Sequence, residues 1–166
     1  PHRARSHVAG YQVGCDSKGT TVTGPSSRFA TSDDLDELIR LYHLLDEEMA
    51  TLRPDWSATD GLPEPIEVAL ESKLGGCIVG LFDDVPVGFL VADLTSPICR
   101  IEVVFTHPEA RGVGVGETMV RLLRSEANTR GVTSFDVSVL PGHRAAKNFF
   151  EGEGFKARLI TMHHDD

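Results

Sequence analysis

Hydrophobic positions along the chain switch between two periods. Leu35, Leu38, Ile39, Tyr42, Leu45 and Met49 recur three and four apart, the stripe of an amphipathic helix about four turns long. Thr31 and Asp34 ahead of it have capping-box spacing. A shorter helix is predicted over residues 66–74, where Gly75 and Gly76 stop it. The period then shortens. Residues 77–82 and 87–92 are apolar runs on either side of Asp83-Asp84-Val85-Pro86, which reads as an antiparallel hairpin. Residues 99–106 form the next strand, β-branched and aromatic with one acid, Glu102, inside it. Pro108 ends that strand, and Met119, Leu122, Leu123 and Ala127 return to helical spacing.

Phe135, Val137 and Val139 alternate within a strand predicted over 133–140, and Pro141-Gly142 turns the chain into a short helix from His143. A last strand is expected over 156–162, and a short first one at Arg28-Phe29-Ala30. Between the first two helices, residues 51–65 lose all periodicity and read as a loop that carries the single Trp56. Residues 1–27, rich in Ser, Thr and Gly, are expected to be a flexible arm ahead of one domain over 28–166. Tyr42 is expected at the core edge and His43 at the surface.

Charge narrows the partners. The net charge is −9, and residues 28–72, with 12 acids and 3 bases, account for all of it. Nucleic acid, which needs a basic face, is not an expected partner, whereas a cationic one near the first half is favoured by steering. The same acids also suit an ordinary solvated helix face. No run of residues is long and apolar enough for a membrane span. Cys15, Cys77 and Cys99 are scattered and odd in number, which suits a reducing compartment, so a soluble cytoplasmic protein is expected. No metal is expected, the histidines and acids of the tail at 163–166 lying at a chain end. The oligomeric state is not legible, and a homodimer is left open.

The joint after the 99–106 strand carries the chemistry. Gly112, Gly114 and Gly116 alternate where the backbone must turn tightly and let something approach it. Amides of residues 112–117 at the first turn of a helix have no intrahelical partner and suit a phosphate or pyrophosphate. A nucleoside-triphosphate loop would need Lys and then Ser or Thr after its last glycine, but Glu117 and Thr118 follow. A dinucleotide fingerprint from Gly112 would need glycine where Glu117 stands.

What remains is Arg-x-x-Gly-x-Gly, filled by Arg111, Gly114 and Gly116. This resembles the pyrophosphate loop of the GNAT superfamily, the acetyl-CoA-dependent N-acetyltransferases. Downstream, Ala146, Phe149, Glu151, Gly154 and Phe155 match the family's second motif, while His143 stands for its Asn and Phe150 for its Tyr. The resemblance covers about residues 28–162. It implies an α/β (α+β) GNAT fold, with a central mixed, mostly antiparallel sheet of six to seven strands flanked by about four helices. It implies acetyl transfer from acetyl-CoA to a primary amine of a small molecule or peptide. Val104, Phe105 and Thr106 would pair with pantetheine, and Arg111, Gly112, Val113, Gly114, Val115 and Gly116 would hold the pyrophosphate. His143 and Phe150 would lie at the cofactor, and Lys147 would sit near its phosphates or face solvent. The loop at 51–65 would wall the acceptor site, making Asp55, Trp56 and Asp60 candidate contacts; Trp56 could equally staple the loop to the core.

A lysine-like amine must lose a proton before attack, which costs roughly 4–5 kcal/mol at neutral pH for a pKa near ~10.4. Glu102 is the candidate base, with a salt bridge to a neighbouring strand as its alternative role. The family's general acid is the Tyr that Phe150 replaces, and a phenyl ring donates no proton. Another donor such as His143, Ser138 or water serves, or the thiolate leaves unaided, or the domain binds acyl-CoA without turning it over.

Overall fold

The computed structural model describes residues 24–52, 62–63, 65–140 and 142–159. Among them a five-stranded sheet runs in the order of the sequence: β1 (Pro25–Phe29), β2 (Cys77–Phe82), β3 (Val85–Asp93), β4 (Ile98–Thr106) and β5 (Ser134–Val137). The first four are antiparallel neighbours, and β4 and β5 are parallel. Four α-helices accompany them: α1 (Leu35–Leu52), α2 (Ile66–Ser72), α3 (Val115–Thr129) and α4 (Arg144–Gly152). The mixed, mostly antiparallel sheet and the four helices agree with expectation.

The sheet divides two cores, as a strand buried on both faces requires. On one face Leu38, Leu41 and Tyr42 of α1 and Ile66 and Leu70 of α2 meet Val79, Phe89, Val91, Val103 and Phe105. On the other, Val115, Met119, Leu123 and Ala127 of α3 and Phe150 of α4 meet Ile78, Leu90 and Ile101. Gly80 lets α3 come down onto β2, since a β-carbon there would stand 2.7 Å from Val115 and 2.8 Å from Met119. Of the stripe predicted for the first helix, Leu38, Tyr42 and Met49 are buried and Leu35, Ile39 and Leu45 half-buried, while Leu41, outside that stripe, is also buried. Tyr42 is buried, its hydroxyl accepting from the Leu62 amide at 3.1 Å, and His43 is exposed.

The start of α1 is tied to β1. Both Asp34 carboxylate oxygens accept from the Arg28 guanidinium at 2.7 Å, and one also accepts from the Thr31 amide at 2.8 Å.

Several boundaries differ from the sequence pattern. α2 ends at Ser72 and not at residue 74. β3 begins at Val85 and not at Val87, since Val85 and Pro86 pair with Phe82 and Leu81 and leave Asp83-Asp84 as the turn. β1 begins at Pro25 and not at Arg28, because Pro25, Ser26 and Ser27 pair with Phe82, Leu81 and Gly80 despite their poor strand propensity. β5 ends at Val137, although the alternation continues to Val139, because its ladder with β4 stops at Ile101 and Val137. Residues 155–159 carry no strand and Leu159 is 86% exposed, so a sixth or seventh strand is absent among the described residues. Residues 160–162 of the expected last strand, and residues 1–23 of the expected arm, lie outside them.

Candidate active site

The site begins with a fault in β4. Val91 pairs with Val103 and Ala92 with Ile101, so Glu102 is an extra residue without an opposite number, a β-bulge. Its consequence is visible in the cores. Cys99 and Ile101 face α3, but Val103 and Phe105, which regular alternation would put beside them, face α1 and α2. Past the bulge β4 keeps β3 as a neighbour as far as Thr106, while β5 has already left it at Ile101. The strands therefore part, and among the described residues no strand lies against the edge of residues 102–106 turned away from β3.

The loop to α3 follows at once. Gly112 and Gly114 have φ of 76° and 95°, left-handed values that favour glycine, and Gly114 is the N-cap of α3. The first helical bond runs from the Thr118 amide to the Gly114 carbonyl at 3.1 Å. Among the described residues the amides of Gly112, Val113, Gly114, Val115, Gly116 and Glu117 meet no protein acceptor. These donors gather at the positive end of the 15-residue helix α3. Unpaired donors at a helix N-terminus are chemically suited to an anion. Gly116 serves packing, since a β-carbon there would come 2.9 Å from the Phe149 ring of α4.

The Arg111 side chain is partly exposed and is engaged by protein groups. Its Nη2 donates to Glu48 Oε2 of α1 at 2.5 Å, its Nε donates to the Thr106 carbonyl at 2.9 Å, and its guanidinium lies 5.9 Å from the centre of the Phe105 ring. Glu102 is paired as well. Lys73, at the C-terminal end of α2, places Nζ 2.9 Å from Oε1 and 2.8 Å from Oε2 of that carboxylate. The partner comes from a helix end, not from a neighbouring strand, so Glu102 projects to the α1 and α2 face.

Phe150 is 3% exposed, its ring 5.0 Å from Phe149 and 5.2 Å from Phe155 in edge-on contacts. His143 stands half-buried at the N-cap of α4, and its side chain makes no capping bond. Val104 and Thr106 are half-buried on β4, Phe105 and Val115 are buried, and Val113 is exposed. Lys147 is held by Glu151 at 2.7 Å. The structure thus brings the predicted strand and loop residues into one continuous stretch, with Phe149 linking α4 to it. Asp55, Trp56 and Asp60 lie outside the described residues. Two clefts, one lined in part by Leu74 and Arg130 and the other by Ser26 and Arg121, contain no residue of β4 or of the loop.

Burial pushes the Cys77 thiol up to about 12, with the Asp34 charge adding to it, and the Cys99 thiol up to about 11, with Asp93 adding. Neither is a nucleophile at neutral pH. Among the described residues no group of His, Cys, Asp and Glu is placed to hold a metal ion, and no helix is long and apolar enough to cross a membrane. Lys73 and Glu48 are the residues that sequence reasoning missed. Nothing in their spacing points to partners 29 and 63 residues away.

A bulged strand, a glycine turn and a helix end with free amides make a distinctive sequence of parts, and the model of the acetyltransferase (GNAT) family matches residues 38–155. The chain belongs to the GNAT family. Its solved neighbours carry the same GNAT fold. The aminoglycoside N-acetyltransferase AAC(6')-Iy, solved with a bisubstrate analogue, superposes with a TM-score of 0.64 at 18% identity, over 87% of this chain and 100% of that one. The PaiA N-acetyltransferase of Thermoplasma acidophilum, solved with coenzyme A, gives 0.68 at 14% identity over 81% and 91%. A transcriptional regulator of Bacillus halodurans gives 0.62 at 27% identity over 84% and 99%. None of the curated proteins matches the chain.

Proposed function

We propose that this GNAT domain is an N-acetyltransferase that moves an acetyl group from acetyl-CoA directly to a primary amine of a small molecule or peptide. The observation that carries this is the row of amides from Gly112 to Glu117, which meet no acceptor among the described residues, beside the edge of β4 that β5 leaves. The glycine turn suits the group, for a β-carbon at Gly112 would meet nothing within 4 Å and the backbone is open to approach. The amides of the loop would hold the pyrophosphate, and the β4 edge at Val104, Phe105 and Thr106 would pair with the pantetheine chain. Bound there, acetyl-CoA supplies an activated acyl group on a thiol that leaves readily.

The chain's own part is to orient the two reactants and to move protons from the acceptor amine and to the departing thiolate. Glu102, at the bulge and turned to the α1 and α2 face, is the group proposed to take the acceptor's proton. Its carboxylate already binds a primary ammonium, that of Lys73. As a base it must share or release that lysine, or act through a water. Burial of Cys77 and Cys99 keeps these two of the chain's three thiols out of an acyl-enzyme route. The buried Phe150 gives up no proton, so the departing thiolate takes one from His143, Ser138 or solvent.

Aminoglycoside-acetylating neighbours and the acidic α1, which carries Asp36, Glu37, Asp46, Glu47 and Glu48, together support a cationic acceptor. The second reading, an acyl-CoA-binding regulatory domain without turnover, is favoured by Phe150 and by the closed Lys73–Glu102 pair. Free thiol release from acetyl-CoA with a panel of polyamines, aminoglycosides and lysine peptides separates the two. Amine-dependent release that falls about a hundredfold or more in Glu102→Gln supports the transferase with Glu102 as base. CoA binding with no amine-dependent release would leave the regulatory reading.

A further inference from the structure

We infer that Arg111 braces the anion loop from behind, with Glu48 of α1 as the positioning residue that holds it there, and that the arginine is not itself a ligand of the anion. The inference rests on the reading of that loop as the acyl-CoA pyrophosphate seat. Each donor direction of the guanidinium that the structure fixes is turned toward protein. Nη2 goes to Glu48 Oε2 at 2.5 Å, Nε to the Thr106 carbonyl at 2.9 Å, and the flat face lies 5.9 Å from the Phe105 ring centre.

The bond to Thr106 closes the turn between the end of β4 and the start of the loop. Two backbone bonds reinforce it, from the Ala110 amide to the His107 carbonyl at 2.8 Å and from the Arg111 amide to the Pro108 carbonyl at 3.3 Å. Strand end and loop start are therefore tied together. Glu48 anchors that piece to α1, whose apolar side is packed in the core of Val103 and Phe105, whereas the loop leads to α3 on the opposite face. The ion pair thus ties together helices from the two faces of the sheet at the place where the strands part. The Glu48 carboxylate also neutralises the guanidinium, which leaves anion binding to backbone donors that no side-chain rotation can displace.

A bracing arginine and a ligating arginine differ in the sign of one effect. If Arg111 were a phosphate ligand restrained by Glu48, freeing it would tighten CoA binding; if it is a brace, freeing it loosens the seat. Calorimetric titration of CoA into the unmodified protein, Glu48→Gln, Arg111→Ala and the double variant decides this, alongside amide hydrogen exchange of residues 106–117 in the free proteins. The expected result is affinity about fivefold weaker in Glu48→Gln, as for a partly exposed ion pair of about 1 kcal/mol. The double variant is then no weaker than Arg111→Ala alone, and exchange over 106–117 is faster in Glu48→Gln. A thermal midpoint kept within a few degrees separates this from general loss of structure. Unchanged or tighter CoA binding in Glu48→Gln, or unchanged exchange, would overturn the inference while leaving the cofactor reading intact. Absence of CoA binding by the unmodified protein would overturn both.

Discussion

Asp34 shows how much one buried carboxylate organises. The hydrogen bonds from Arg28 hold its carboxyl well below the usual carboxylate range, against the opposing effect of burial and with help from Thr31. A carboxyl that ionises more readily in the folded chain contributes its stability in full above the unfolded value near ~3.9, and loses it as pH falls below that toward the folded value. Asp34→Ala should therefore cost about 1–3 kcal/mol at neutral pH, from a lost charge-assisted pair and a frayed helix start. The gap between variant and unmodified protein should narrow as the pH is lowered below about 4. Urea unfolding at a series of pH values measures both. Lys73→Met removes the ammonium from the Glu102 carboxylate. If that carboxylate is the base, amine-dependent turnover should change while CoA affinity stays, which steady-state kinetics beside calorimetry resolves.

Among the elements, the close contacts of α3 decide what can be altered. A methyl at Gly80 meets Val115 and Met119 within 2.8 Å, so Gly80→Ala should destabilise by about 1–3 kcal/mol through overpacking. Chemical denaturation with an unchanged m-value checks it. Gly116→Ala presses on Phe149 instead, and should move α4 against the loop and weaken CoA more than it weakens the fold. The β4, loop and α3 stretch was legible in the sequence because apolar period, proline stop and glycine spacing all pointed to one reading. The bulge was not. Cys99, Ile101, Val103 and Phe105 alternate without interruption on paper, and only pairing with β3 reveals that the first two face one core and the last two the other. The premature end of β5 has the same origin, since a strand with good alternation still needs a partner beside it. β1 was shortened in prediction because Pro, Ser and Ser carry no strand signal of their own.

For the molecule as a whole, the charge lies on one side of the sequence. The net −9 arises between residues 28 and 72, and α1, with its acids, packs on the sheet face to which Glu102 projects. A multiply cationic acceptor should therefore show a KM that rises steeply with ionic strength, whereas a singly charged amine of similar size should change little. Sequence pattern could locate the glycine loop but not the partners of Glu102 and Arg111, because Lys73 and Glu48 reach them only through the folding of α1 and α2 onto the sheet. The most direct test of the account is calorimetric titration of acetyl-CoA into the unmodified protein and into Gly114→Glu, whose carboxylate would enter a left-handed turn and repel an anion at the helix end. Micromolar binding that the substitution abolishes is the expected result. Failure of the unmodified protein to bind, or equal binding by Gly114→Glu, would contradict the assignment of the glycine loop as the cofactor seat.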